Sequence, residues 1–452
     1  MIKIIMQWKS LNWIKNIIIE TKTRVVVVLL IVATGFFSIF SINNVLTTIN
    51  TSTWKYSLPK IIPAMPLIGV DFRVGSYEPA KTLLDTNFKQ IRQDESYSSI
   101  YPPFVAVINI PYLLFDENTA YLWHVGFLIF ANIACLALVS IMVKEFILSN
   151  LGLENMYAAI IALFLFFALL IYTLSSYSFF FSMERGNTDI FAMFFILLAM
   201  WSLLKKPEKL WLQVILLSVA THLKIYPAAL FLLLFKKHGK KMILPTLVVN
   251  LALLFILGPR MALMFLQSIT SGSGVGAGIG NPWSGVGNHA AYSFTMGIDT
   301  TPGEFLSSNF FVLWSIFTFI PLLFWGIAAI ALFMKKYSGQ NAILFLMVTV
   351  PVMDLVPTVS IDYRLVIESS AALILIALIT KQLIQKHSWF DFIQLAVVMF
   401  LLLMIGRSYA FFDESLFVFR NKYIWVLLLE VVMVVNIIKN QKDWYTVVES
   451  GG

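Results

Sequence analysis

The stretch TAYLWHVGFLIFANIACLALVSIMV, residues 119–143, decides the fold class. It contains no Asp, Glu, Lys or Arg, and it exceeds the roughly 20 apolar residues that a helix needs to cross about 30 Å of hydrocarbon. Because lipid offers no hydrogen bonds to the backbone, a single segment that crosses it must be a helix. We therefore predict a transmembrane helix here.

The same pattern recurs along the chain. Hydrophobic residues make up 59% of the 452 residues and charged residues only 12%, which excludes a water-soluble enzyme. We predict full spans near residues 24–43, 119–143, 156–180, 187–204, 242–258, 308–334, 341–358, 365–381, 391–409 and 421–438. Shorter apolar pieces lie at 101–115, 210–222 and 225–236. The predicted fold is an all-α polytopic membrane protein with about 10 transmembrane helices plus short re-entrant or juxtamembrane helices.

The distribution of lysine predicts the orientation, because Lys and Arg are in excess in cytoplasmic loops. Short lysine clusters occur at residues 205–209, 236–241, 335–336 and 381–386. They place both termini in the cytoplasm and the long loops 44–100 and 259–307 on the other side. We expect three regions: a cytoplasmic interfacial amphipathic helix at 1–23, a transmembrane domain at 24–438 and a cytoplasmic tail at 439–452.

Other classes of site find little support in the sequence. A single cysteine, Cys135, and five scattered histidines do not predict a disulfide framework, and we expect no metal and no cofactor. The basic excess reports topology, so no nucleic-acid partner is expected. The glycine-rich segment 272–280 follows a membrane helix instead of a strand, which argues against nucleotide binding.

Most charges outside the lysine clusters map to the non-cytoplasmic side. Ionisable groups at membrane depth are costly unless they are paired or face a watery cavity, so their convergence predicts a polar pocket. The alternative is interfacial anchoring and ion pairing, for example of Arg185 with Asp189. Cations that hold a phosphate, beside a carboxylate that takes a hydroxyl proton, would suit a lipid-linked phosphosugar. The converging residues are Asp71, Glu184, Arg185, Asp189, Lys224, His289, Asp362 and Arg364.

Four short motifs follow one another along the chain, and their order and spacing carry a family resemblance. They are Asp71-Phe72, Tyr101-Pro102-Pro103-Phe104, Gly186-Asn187-Thr188-Asp189 and Leu223-Lys224-Ile225-Tyr226-Pro227. Over roughly residues 24–400 the chain resembles glycosyltransferase family 87. This family has the GT-C fold and includes polyprenyl-phosphate-mannose-dependent α-(1,2)-mannosyltransferases. The resemblance implies an inverting transfer in which an Asp of the first outer loop is the general base.

Asp71 matches the position of that base. The alternatives for Asp71 are capping of a loop helix or pairing with Arg73, and Asp85 is the next candidate for the base. Lys224, at the tip of a broken hairpin, is the first candidate ligand of the donor phosphate, with Arg364 and Arg185 as further candidates. Snorkelling or ion pairing is the alternative for each cation.

Further residues are candidates for substrate binding. Asn187 is as readily a helix cap, and interfacial aromatic belts are an alternative role for the aromatic residues. Asn288-His289-Ala290 stands where the family pattern has Asn-Gln-Ser, so that His289-Ala290 replaces Gln-Ser. This difference leaves the identity of the donor sugar open. The predicted substrate-binding residues are Tyr77, Tyr101, Asn187, Asp189, Tyr226, Trp283 and His289.

The sequence thus predicts an enzyme of a bacterial inner (plasma) membrane that acts on the periplasmic or extracellular side. Its partners would be a polyprenyl-phosphate-linked sugar, a glycolipid or glycan acceptor and the lipid bilayer. A transporter or flippase would use the same charges along a translocation path. An O-antigen polymerase-like enzyme would depend on outer-loop arginines, of which the second large loop has only Arg260.

Overall fold

The structure is a computed structural model that describes residues 35, 69–90, 101–149, 155–270, 302–357, 362–386, 388–407 and 422–449. Within these residues the regular secondary structure is helical throughout. The α-helices are α1 (Val70–Phe72), α2 (Glu78–Asp85), α3 (Pro103–Ile108), α4 (Glu117–Val143), α5 (Asn155–Leu174), α6 (Tyr177–Arg185), α7 (Asp189–Lys205), α8 (Leu210–Leu223), α9 (Phe231–His238), α10 (Ile243–Leu254), α11 (Pro259–Thr270), α12 (Pro302–Phe333), α13 (Gly339–Leu355), α14 (Glu368–Lys386), α15 (Trp389–Gly406) and α16 (Lys422–Glu449). The prediction of an all-helical chain is confirmed for the part of the chain that the structure describes.

Among the residues that the structure describes, six helical segments are long and apolar enough to cross a membrane, and two bent helix pairs raise the number to as many as eight. The six segments are Glu117–Leu148, Met156–Leu174, Ile316–Phe333, Arg364–Gln385, Trp389–Gly406 and Lys422–Asn440. These helices indicate an integral membrane protein.

The predicted count of about ten spans is not confirmed. The predicted spans 187–204 and 242–258 each form part of a bent pair, α6 with α7 and Tyr226–Leu254 with Pro259–Gln267. The predicted span 341–358 is the shorter helix α13. The predicted span 24–43 lies outside the described residues except for Gly35, which is helical.

Local sequence explains where several helices begin. The Asp116 carboxylate accepts hydrogen bonds from the backbone nitrogens of Asn118 and Thr119, both at 3.1 Å, and so caps the start of α4. Ser176 does the same for α6, where its hydroxyl accepts from the backbone nitrogen of Phe179 at 3.2 Å. This cap also explains why α5 stops at Leu174 and does not continue to residue 180 as predicted.

The centre of the bundle is α14. Its residues, with those of the preceding helical turn, are buried from Arg364 to Ile384, and α13, α15, α4 and α5 pack around it. Side chains that face other helices gain contacts that lipid would not provide, and small residues such as Ala371, Ala372 and Ala377 let the neighbours approach closely.

The corner between α6 and α7 bends the chain by 108°. Gly186 ends α6 with φ +67°, and its backbone nitrogen and that of Asn187 both donate to the carbonyl of Ser182, at 2.9 and 3.2 Å. Glycine is the preferred residue for this left-handed conformation at the end of a helix. A Cβ at Gly186 would lie 2.6 Å from the Cβ of Phe72, so the segment that carries Asp71 can approach the corner only because the side chain is absent.

The predicted regions are described only in part. Residues 1–34, 44–68 and 91–100 lie outside the described residues, so only 69–90 of the outer loop 44–100 are described. Residues 271–301 of the loop 259–307 also lie outside. Helix α16 runs without a break to Glu449, across the predicted boundary between residues 438 and 439. Asp189 starts α7 and Lys205 ends it, so the first lysine cluster lies at the end of α7 opposite to the corner.

Candidate active site

The segment that carries Asp71 is anchored to the α6–α7 corner. Asp71 lies in the short helix α1, and the backbone nitrogen of Gly69, just before it, donates to the carbonyl of Glu184 at 2.7 Å. Gly69 has φ +68°, and a Cβ there would lie 2.9 Å from the ring of Tyr121. The following side chain, Phe72, is buried. Close backbone approach on one side and a buried ring on the other therefore fix the direction of Asp71.

The Asp71 carboxylate has two partners at this corner. Its Oδ1 lies 2.8 Å from Nη2 of Arg185 and accepts from Nε of the same residue at 3.1 Å. Its Oδ2 accepts from Nδ2 of Asn187 at 3.2 Å. The Asp71 side chain keeps 15% of its surface exposed. Arg73, the alternative partner considered from the sequence, lies 3.6 Å from the carboxylate of Glu78 instead.

A second carboxylate, that of Asp189, is fully buried at the start of α7. It lies 3.4 Å from Nζ of Lys224 and 3.2 Å from Nε of Arg364. The hydroxyl of Tyr226 donates to its Oδ1 at 2.6 Å. A buried carboxylate is tolerated when it is paired and hydrogen-bonded in this way. Asp189 therefore holds together three residues from two further parts of the chain.

Lys224 projects from a break between two helices. The backbone nitrogen of Lys224 still donates to the carbonyl of Ala220 at 3.0 Å, as in a helix, but the φ and ψ angles of Lys224 are those of an extended chain. The next turn begins at Tyr226 and contains Pro227, which has no backbone N–H and cannot continue a helix from α8. This break presents the lysine at the tip of the hairpin, as the sequence predicted.

Aromatic rings cover both buried cations. The ammonium of Lys224 lies 5.1 Å from the ring centre of Tyr101, and the guanidinium carbon of Arg364 lies 5.0 Å from that of Tyr226. Nη1 of Arg364 also donates to the carbonyl of Met353 at 3.4 Å. Cations over ring faces are stabilised by the ring quadrupole. Tyr101 and Tyr226, predicted as sugar contacts, thus pack against the cations.

The environment keeps Lys224 charged. Burial is the largest single influence on the pKa of the Lys224 ammonium and acts to lower it, but the carboxylate of Asp189, together with Tyr101 and Asp71, raises the pKa above the usual lysine value. Burial raises the pKa of the Tyr101 phenol, which the nearby Lys224 only partly opposes. At neutral pH the site therefore contains an ammonium ion beside an uncharged phenol.

The ion pairs of the site bring several cations together. Three cations, Arg185, Lys224 and Arg364, face two carboxylates, Asp71 and Asp189. Such a site suits an anionic group with several oxygens, because guanidinium and ammonium groups form strong hydrogen bonds to phosphate. In the described part of the chain, no group of three or more His, Cys, Asp or Glu side chains could hold a metal ion.

Two predicted site residues lie away from the ion pairs. Tyr77 follows α1 by one turn, and its hydroxyl donates to the carbonyl of Phe115 at 3.1 Å. Asp85, the alternative base, is the last residue of α2 and is exposed. Trp283 and His289 lie outside the described residues. The substrate-binding roles of Tyr77, Trp283 and His289 stay predictions, as does the role of Asp85 as alternative base.

The main residue that sequence reasoning missed is His124. It is buried in α4 and its ring centre lies 4.7 Å from that of Phe72. The available signal was an ionisable side chain inside the long apolar run 119–143, which is a reason to suspect a functional position. His124 belongs to no recognisable sequence motif, and only the fold brings it next to the α6–α7 corner.

The fold and the site together define an α-helical membrane protein with a buried cluster of paired carboxylates and cations. Comparison with known families is consistent with this class. The family model described as Glycosyltransferase family 87 matches residues 100–360, which is more than half of the 452 residues. The chain belongs to glycosyltransferase family 87. No curated protein and no solved structure matches it.

Proposed function

We propose that the chain is an inverting glycosyltransferase that moves a sugar from a polyprenyl-phosphate donor to a glycolipid or glycan acceptor. The observation that carries the proposal is a partly exposed carboxylate, Asp71, that pairs with Arg185 in a chain of glycosyltransferase family 87. The neighbouring Asp189 holds two further cations, Lys224 and Arg364. Family membership supports glycosyl transfer itself, and nothing in the comparisons favours the transporter alternative.

Asp71 is the proposed general base. It retains an exposed edge, whereas the side chain of Asp189 is fully buried and already engaged by Lys224, Arg364 and Tyr226. A base must reach the proton it removes within hydrogen-bonding distance, so the exposed carboxylate is the better candidate. Arg185 and Asn187 orient Asp71, much as a third group orients the base in other enzymes.

Lys224 and Arg364 are the proposed ligands of the donor phosphate. Both are cations at a break or a short turn near the end of a helix, and both are held by Asp189. Asp189 thus acts by keeping the two cations at a fixed spacing before the donor arrives. Arg185 is the third candidate ligand, and it would have to share its guanidinium between Asp71 and the phosphate.

The arrangement supports inversion. The acceptor hydroxyl gives its proton to Asp71 as its oxygen forms a bond to the anomeric carbon. The bond from that carbon to the phosphate oxygen breaks, and the electron pair leaves with the polyprenyl phosphate. Attack and departure lie on opposite faces of the sugar, which requires the base and the phosphate ligands to be separate groups. Asp71 and the Lys224–Arg364 pair are carried by different elements and meet this requirement.

The lysine distribution supports a reaction on the non-cytoplasmic side. The corner lies at the end of α7 opposite to Lys205, the first lysine of its cluster. If the lysine clusters face the cytoplasm, the site faces the periplasm or the cell exterior of a bacterial inner membrane. A mannose-like sugar is the proposed donor group, on the family resemblance.

The test is sugar transfer in membranes that contain the protein, with radiolabelled polyprenyl-phosphate mannose as the donor. Wild type is compared with Asp71→Asn and with Asp85→Asn at matched expression. We expect Asp71→Asn to lose roughly a hundredfold or more of the transfer rate, and Asp85→Asn to keep it. Asp85 is the matched control because it is a carboxylate of the same segment that is exposed.

Two outcomes would count against the proposal. Transfer from none of mannose, glucose, arabinose or aminosugar donors by wild type would reject the polyprenyl-phosphate enzyme. Full activity of Asp71→Asn with loss in Asp85→Asn would keep the enzyme but move the base to Asp85.

A further inference from the structure

His124 uses both nitrogens of its ring. Its Nε2 lies 3.0 Å from the carbonyl oxygen of Gly186, and its Nδ1 lies 3.0 Å from the hydroxyl of Tyr112. A carbonyl oxygen can only accept, so Nε2 must carry the hydrogen. In the neutral ring Nδ1 is then an acceptor, and the hydroxyl of Tyr112 donates to it. The side chain is 1% exposed, and both of its polar atoms have partners.

His124 contacts the surroundings of Asp71 in two places, at Gly186 and at Phe72. Gly186 stands between Arg185 and Asn187, the two residues that hold the Asp71 carboxylate. The ring of Phe72, the residue after Asp71, packs against the imidazole with 4.7 Å between ring centres. His124 therefore borders both the residues that orient Asp71 and the segment that carries Asp71.

Ordinary packing does not account for a histidine at this place. A buried polar ring costs free energy unless its nitrogens are satisfied, and a leucine or phenylalanine could fill the volume among Phe72, Phe191 and Tyr112 without that cost. What an apolar side chain cannot supply is the directional bond to the Gly186 carbonyl. That bond fixes the peptide plane between Gly186 and Asn187.

We propose that His124 is a positioning residue for Asp71, which fixes the α6–α7 corner and the Phe72 ring so that the carboxylate points at the acceptor hydroxyl. This inference rests on the proposed function, since it assumes that Asp71 is the base. His124 neither touches substrate nor transfers a proton. Its effect is confined to the direction of a group that acts only in the transition state.

If His124 only positions the base, its loss should change kcat but not the KM for the donor. A misdirected base lowers kcat and leaves donor binding intact, because an interaction made only in the transition state does not contribute to KM. Small misplacements can cost on the order of a hundredfold. We expect His124→Leu to lower kcat by about ten- to a hundredfold and to change the donor KM by less than about threefold.

The conservative variant separates positioning from volume. The amide nitrogen of His124→Gln can take the place of Nε2 and donate to the Gly186 carbonyl, so it should recover most of the kcat that His124→Leu loses. Tyr172→Phe is the matched control. It removes another buried side-chain bond to a backbone carbonyl, that of Leu402 at 2.7 Å, between α5 and α15. We expect it to keep the wild-type kcat.

A second readout does not depend on activity. The chain has one cysteine, Cys135, so a single reporter can be placed at Ser76, which is buried in the segment after Asp71. In a Cys135→Ala, Ser76→Cys background, a membrane-impermeant maleimide should label slowly. Labelling should be at least about fivefold faster with His124→Leu, because the segment loses an anchor, and should stay slow with His124→Gln and with Tyr172→Phe.

The outcomes distinguish this inference from the proposed function. If wild type transfers no sugar, or Asp71→Asn is fully active, the proposed function or its base is wrong. If Asp71→Asn is inactive while His124→Leu has wild-type kcat and labelling, only the positioning role is overturned. It is also overturned if Tyr172→Phe loses as much kcat as His124→Leu, or if the donor KM rises in proportion to the loss of kcat.

Discussion

One side chain, that of Asn187, joins the carboxylate of Asp71 to the backbone of Asp189. Its Nδ2 donates to Oδ2 of Asp71 at 3.2 Å, and its Oδ1 accepts from the backbone nitrogen of Asp189 at 3.1 Å. The two roles weighed from the sequence, capping at the start of α7 and a part in the site, are thus combined in one residue. Because its amide is held at both ends, the direction of the base is linked to the start of the helix that organises the cations.

Asn187→Ala removes both of these hydrogen bonds. The neutral bond to the Asp189 nitrogen contributes about 1 kcal/mol and the bond to the Asp71 carboxylate, a charged acceptor, about 1.5–3 kcal/mol. We therefore expect kcat to fall about tenfold and the melting temperature to fall by a few degrees. Transfer assays and thermal unfolding in detergent measure the two effects. Asn436→Ala, which removes a buried side-chain bond to the carbonyl of Val432 in α16, should lower stability alone. Equal loss of kcat in both variants would contradict the assignment.

Lys224→Ala should weaken donor binding more than chemistry. It removes a buried cation from Asp189 and leaves Arg364 as the remaining cation of that pair. We expect the donor KM to rise at least about tenfold, measured as initial rates over a range of donor concentrations. Lys224→Arg preserves the charge and should recover part of the affinity. A donor KM unchanged in Lys224→Ala would show that the phosphate binds elsewhere.

The pH dependence of donor binding should appear only when Asp189 is removed. Asp189 raises the pKa of Lys224 against the opposing effect of burial, so in wild type the ammonium persists and the donor KM should be flat from roughly pH 7 to 9. In Asp189→Asn, burial lowers the pKa of Lys224. As pH rises through that lowered value the ammonium loses its proton, and the donor KM should increase. Parallel pH profiles for both proteins would contradict this coupling.

Gly186→Ala should destabilise the corner. The residue has φ +67°, and its new Cβ would meet the Cβ of Phe72 at 2.6 Å. We expect a loss of more than about 1 kcal/mol in unfolding free energy, read as a lower melting temperature in detergent, together with lower kcat. Gly126→Ala in α4 is the control, because a Cβ there has nothing within 4 Å. Alanine is also the better helix former, so this control should not lose stability.

Much of the fold was readable from the sequence because apolar length alone identifies a membrane helix. Six of the predicted spans correspond to helices long enough to cross a membrane. The count differs where helices bend or stop short, as at Gly186 and at Leu355, the end of α13. Hydropathy measures how apolar a stretch is and not the direction in which its helix runs, so it could not predict the bends.

The site was predictable as a set of residues but not as a set of contacts. Arg185 was considered a partner of Asp189, yet it pairs with Asp71, while Asp189 pairs with Lys224 and Arg364. Which charges meet depends on how the segment after Gly69 docks on the corner, and no local pattern encodes that. Hydropathy likewise does not reveal the π-helical turn Arg73–Tyr77 after Asp71 or the left-handed conformation of Gly69 before it.

The burial of α14 has a consequence for biogenesis. In the finished bundle this helix does not face lipid along most of its length, yet during synthesis it must leave the translocon among lipids. It carries Glu368, Ser369, Ser370 and Lys381, and its mean hydropathy is lower than those of α4 and α5. Charged residues and low hydropathy within a span both oppose insertion. The helix that organises the bundle is therefore expected to insert poorly alone and to depend on α13 or α15 as a companion, so truncations between these helices should fail at integration before any effect on catalysis arises.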